Sequence, residues 1–112
     1  MAARLAAMAF DARKAASEIE SNLRAIGTPE RAEQEKRYLR SELAFFGTTV
    51  GQIRDVVKAY SRGHTLDHAY LVDLVTALWA EPIHERRMAA VALLELHPRL
   101  LDAPAARGTA DS

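Results

Sequence analysis

The chain has 112 residues, enough for one domain with a single core. Its 49% hydrophobic and 27% charged content exclude a wholly disordered polymer, and the absence of cysteine excludes disulfides, thiolate metal sites and cysteine nucleophiles together. Fifteen basic and fifteen acidic residues cancel, so no overall basic field points to a polyanion, and any cationic surface has to arise by segregation.

The opening stretch, MAARLAAMAFDARKAASEIE, is too short in its apolar run and too polar for a signal sequence or a membrane span. A cytoplasmic location with no membrane partner is the resulting expectation. Leu5, Met8, Ala12, Ala15, Ile19, Leu23 and Ile26 recur at helical spacing and predict a first helix from about Ala3 to Ile26, stopped by Gly27. Thr28 and Pro29 make an N-cap and first-turn pair for a second helix. Its first half, Glu30 to Arg37, is highly charged. Leu39, Leu43 and Phe46 then follow at i, i+4 and i+7 and predict that the helix continues to Gly47.

Thr49 and Gln52 form a capping-box pattern that opens a third helix, with Val50, Ile53, Val56, Val57 and Tyr60 as its apolar stripe. Ser61 to His64 reads as a connecting loop. Thr65 or Asp67 caps a fourth helix, with Leu71, Leu74, Val75 and Leu78 facing inward and Trp79 at its end. Pro82 starts a fifth helix that reaches about His97, before Pro98. The remainder, Asp102 to Ser112, is small and polar and reads as a flexible tail after one helical domain over residues 1–101. The fifth helix is apolar around most of its circumference, from Met88 to Leu96, and such a helix needs neighbours on both sides. With no further unit following, that pattern predicts an open flank covered by a partner or by a second copy of the chain.

The residues that could carry chemistry are few. Lys36, Arg37 and Arg40 cluster around Tyr38, a cationic and aromatic combination able to track phosphates, although Glu30, Glu33, Glu35 and Glu42 are interleaved and suit an ordinary solvated face. Arg54 and Lys58 lie one turn apart on the third helix with Arg62 just beyond, again as a phosphate contact or a plain amphipathic exterior. His64 and His68 have the i,i+4 spacing of a metal pair, but no third ligand is fixed near them, so no metal or other cofactor is expected. Glu85 suits the positive end of the fifth helix, Arg86 and Arg87 are expected to face outward toward a ligand or an adjacent helix, and Trp79 reads as core, with base stacking as the rival reading. No nucleophile–base pair, phosphate loop or convergent carboxylate pair emerges.

The segments TPERAEQEKRYLRSELAFFG, VGQIRDVVK and LVTALWAEPIHERRMAAVALLE, taken in order, resemble the N-terminal half of the DNA alkylation repair family, the HEAT-like repeat glycosylases that excise alkylated purines. The resemblance runs from about Asn22 to Leu101. It implies an all-α fold of about five helices in antiparallel pairs, the beginning of a HEAT-like superhelix with a basic concave groove for double-stranded DNA. It also implies that Tyr38 is the groove-facing tyrosine, with Arg37, Arg40 and Lys36 as weaker DNA-site candidates, and that Trp79 is structural. The family's tryptophan–aspartate motif, which supplies the catalytic carboxylate, has no counterpart here, and the tail APAARGTADS does not resemble the continuation. The expectation is therefore a truncated, frameshifted or split glycosylase. Such a chain would bind DNA but release no base alone, and would act with a separate C-terminal half or as a homodimer.

Overall fold

A computed structural model describes residues 11–101. Five named helices follow one another: α1 Ala12–Ile26, α2 Pro29–Leu39, α3 Val50–Arg62, α4 His68–Ala80 and α5 His84–Leu96. The fold is all-α, and strand-like pairing among the described residues is limited to an isolated parallel bridge between Ala44 and Ile83. The early part of the predicted first helix and the tail lie outside the described residues.

Local chemistry sets most of the helix starts. Asp11 Oδ1 accepts the amides of Arg13 and Lys14 at 3.1 and 3.2 Å, and Thr28 Oγ1 accepts that of Arg31 at 3.3 Å. The capping box at α3 is present in both directions, Gln52 N to Thr49 Oγ1 at 3.0 Å and Thr49 N to Gln52 Oε1 at 2.8 Å. Asp67, rather than Thr65, caps α4, accepting the Tyr70 amide at 2.8 Å.

Four helices make the core. α5 packs on α1, α3 and α4, and α1 also packs on α3 and α4. Ile19 and Leu23, Leu71, Leu74 and Leu78, and Leu93 are fully buried where these faces meet, each burial contributing about 1.5–3 kcal/mol relative to exposure. Ala89 and Ala90 keep α5 slim enough for neighbours on three sides. The all-round apolar pattern of α5 is thus largely satisfied inside the chain. Leu93 faces the core, and the outward apolar residues narrow to Val91 and Leu96, each only about a third exposed (36% and 38%).

α2 differs from the others. It buries none of its residues and packs against no other described helix. It also ends at Leu39, eight residues before the predicted stop at Gly47. Arg40 takes the left-handed conformation (φ 49°), and the amides of Arg40 and Ser41 turn back onto the carbonyls of Arg37 and Lys36. Residues 41–49 then run non-helically to the start of α5. There Ala44 N donates to Pro82 O at 3.1 Å and His84 N donates to Ala44 O at 2.8 Å.

Glu85 holds that segment. Its carboxylate, fully buried, accepts the amides of Phe46 at 2.9 Å, Gly47 at 3.0 Å and Thr48 at 3.2 Å. Two glycines permit the crossing. A Cβ on Gly27 would lie 2.0 Å from the Phe46 carbonyl oxygen, and one on Gly47 would lie 2.0 Å from that of Thr28. Gly47 also has φ +84°, a conformation open to glycine at little cost.

A second buried polar group ties α1 to the α4–α5 turn. Arg86, expected to face outward toward a ligand or an adjacent helix, is only 6% exposed. Its guanidinium donates to Glu20 Oε1 at 2.7 Å and to the carbonyls of Ala77 and Leu78 at 2.7 and 3.2 Å. Those are carbonyls of the last α4 turn, which lack helical partners of their own, so one side chain satisfies a helix end and an ion pair together.

Candidate functional site

The four candidates on or beside α2 do not behave alike. Tyr38 is 87% exposed, unusual for an aromatic ring, and lies on a helix that contributes nothing to the core. Arg37 and Arg40 are exposed and form no ion pair among the described residues. Lys36 is partly committed: its Nζ donates to the Leu43 carbonyl at 2.8 Å, fastening α2 to the extended segment. Arg40 serves as the left-handed cap, so its side chain leaves from the helix end and not from the helix face the longer prediction implied. The acidic residues interleaved with them pair partly among local neighbours, Arg31 with Glu35 at 3.9 Å. What remains is an outlying helix end carrying an exposed tyrosine between cations.

Around the α5 start lies a second aromatic and cationic group. Phe45 stacks on His84 with ring centroids 4.4 Å apart, Arg24 lies over the Phe46 ring at 4.6 Å, and Arg87 lies over Trp79 at 5.0 Å. Trp79, read as core, is 48% exposed, with one face covered by Arg87.

His64 and His68 turn to separate partners. His64 stacks on Tyr60 at 3.9 Å and shares a hydrogen bond between Nδ1 and the Tyr60 carbonyl at 2.8 Å, whereas His68 Nδ1 pairs with the Leu100 carbonyl at 2.9 Å. No group of three potential ligands is found among the described residues. Tyr60 is itself buried and bonded to the Tyr70 hydroxyl at 2.6 Å, and burial with that bond pushes its phenol well above the usual range.

The carboxylates most enclosed are already occupied, Glu85 by three backbone amides and Glu20 by Arg86 and Arg24. Except for half-buried Glu35, the other described acidic residues are exposed. Neither Glu85 nor Arg86 was assigned its role from the sequence. The amides on Glu85 lie 37 to 39 residues away and the carboxylate on Arg86 lies 66 away, and a polar pair at a predicted helix start carries no mark of such contacts.

Fold and site together define an all-α module whose described core is built from four helices, with an outlying helix that bears an exposed tyrosine at its basic C-terminal end. A family model described as DNA alkylation repair enzyme matches residues 19–106, well over half of the chain, and the chain belongs to that family. No curated protein and no solved structure matches it. Among the described residues no helix is long and apolar enough to cross a membrane.

Proposed function

We propose that this chain contacts double-stranded DNA in alkylation repair through the end of α2. Tyr38 lies against a nucleotide, Arg37 and Arg40 neutralise flanking phosphates, and Lys36 acts mainly as the anchor of the helix. The observation that carries this reading is the exposure of Tyr38, 87%, on a helix that packs against no other described helix. An aromatic ring left in water at such a place has no stability purpose, whereas stacking on a base or sugar gives it one. Family membership supplies the ligand class, and the two unpaired arginines supply charge of the right sign.

The same reading makes this polypeptide a DNA-contacting partner and not, by itself, a glycosylase. A carboxylate that stabilises a developing cationic sugar works best held free in a partly enclosed, low-dielectric place. The two most enclosed described carboxylates, Glu85 and Glu20, already have structural partners. Incubating the purified chain with methylated duplex DNA tests both parts. Binding without release of 7-methylguanine is expected, and catalytic turnover would overturn the second part.

A further inference from the structure

α3 packs along α5, and at their C-terminal ends an open cavity is lined by Lys58, Ser61, Arg62, Leu96 and His97. Lys58, Ser61 and Arg62 stand at i, i+3 and i+4 and share one face of α3. Ser61 Oγ and His97 Nε2 share a hydrogen bond of 2.9 Å, which fixes hydroxyl and imidazole side by side in the wall. No carboxylate lines this cavity, and neither Lys58 nor Arg62 forms an ion pair among the described residues. Arg54, one turn before Lys58, is by contrast held near Glu95 at 3.8 Å, so the row of cations is open only at its Lys58–Arg62 end.

Cations near helix C-termini often do no more than offset the helix dipole. Here the arithmetic leaves a surplus: two helix ends carry about −0.5 each, against two full positive charges. Lys58 also sits a full turn inside α3, where the dipole effect has faded. The donor set suits a tetrahedral oxyanion. A guanidinium can engage two oxygens, an ammonium acts as a point charge, and a hydroxyl reaches a further oxygen. When His97 carries its proton on Nε2, the Ser61 oxygen accepts from the ring and its own proton is free for the ligand.

We infer that this cavity binds a phosphate group, with Lys58 and Arg62 neutralising its charge and Ser61 donating to it. The site contains no α2 residue and is distinct from the proposed DNA contact. The group can come from a phosphomonoester, such as a strand end, or from a phosphodiester of the DNA backbone; the DNA sources rest on the function proposed above.

Amide and histidine-ring NMR on the full chain tests this, titrating first inorganic phosphate, then a duplex with 5′-phosphates, then the same duplex with 5′-hydroxyls. Saturable shifts centred on Ser61, Arg62 and His97 are expected with inorganic phosphate, weakened at least about tenfold in Lys58→Gln/Arg62→Gln. Both substituted side chains are exposed, and an otherwise unchanged spectrum verifies the fold of the variant. Tighter binding of the phosphorylated duplex identifies a strand end, whereas equal shifts from both duplexes identify the backbone. Absence of shifts at these residues with all three ligands overturns the site, even where α2 residues respond to duplex and the DNA reading stands. Conversely, phosphate binding in the cavity with no duplex binding anywhere keeps the site and removes the α2 reading.

Discussion

The Glu85 carboxylate accepts the Gly47 amide at 3.0 Å, joining the start of α5 to the one described glycine with positive φ. The flanking amides of Phe46 and Thr48 complete the clamp. Removing the acceptor strands three buried or part-buried N–H groups. Glu85→Ala is expected to destabilise the fold by about 3–5 kcal/mol, and Glu85→Gln by less, since one amide oxygen still accepts. Urea unfolding followed by the Trp79 fluorescence measures both; a loss below about 1 kcal/mol for the alanine variant contradicts the clamp.

Gly47 itself is a separate test. A Cβ there meets the Thr28 carbonyl oxygen at 2.0 Å and must also sit at φ +84°. Gly47→Ala is therefore expected to cost about 2 kcal/mol or more and to displace the α2 entry, whereas Gly51→Ala, with only an ordinary contact at 3.8 Å, is expected to be neutral or slightly stabilising. Equal melting temperatures for the two variants contradict the crossing.

The Glu20–Arg86 pair makes stability depend on acid. Burial alone raises the Glu20 carboxyl, but hydrogen bonds from Arg86 and Arg24 outweigh it and hold the group below its ordinary value of 4.5. A carboxyl depressed in the folded state binds fewer protons folded than unfolded. Its contribution is present in full above the unfolded value near 4.5 and is lost as pH falls through the folded one. The wild-type melting temperature is expected to fall more steeply than that of Glu20→Gln below 4.5, and parallel curves contradict the pair as the cause.

Much of this fold was legible because its signals are local. The Thr49–Gln52 capping box, the Thr28-Pro29 start and the Leu71, Leu74, Leu78 stripe each depend on neighbours within a turn or two, and all appear as read. The α2 stop was not legible. Leu39, Leu43 and Phe46 keep helical spacing, yet hydrogen bonds donated by that segment to Glu85 and Pro82, some forty residues on, hold it in non-helical backbone. Of the two expectations for Arg86, a ligand or an adjacent helix, the structure shows the second, and its burial between Glu20 of α1 and the α4 carbonyls has no mark in a helical first turn. The candidate site was read as a cluster on one continuous helix. Tyr38 and Arg37 remain on the helix, Arg40 moves to its cap and Lys36 turns to an anchoring bond.

That division of labour predicts graded effects. Lys36→Ala is expected to loosen α2, lowering its amide exchange protection, because it removes the bond to Leu43. Tyr38→Ala is expected to leave the melting temperature within about 1 °C, since an exposed ring contributes little to stability, while weakening DNA binding by about 1–3 kcal/mol. A fall in stability with unchanged DNA affinity contradicts the assignment of Tyr38.

The proposed DNA contact sets the end of α2 against the phosphate backbone of the duplex. Fluorescence anisotropy over a range of salt concentrations, comparing wild type with Arg37→Ala/Arg40→Ala, measures it most directly. The double variant is expected to bind more weakly with its fold intact, and its log–log salt slope to be shallower by about 1.8, two contacts at about 0.9 each. Identical slopes and affinities, or no duplex binding by the wild-type chain at low salt, contradict it.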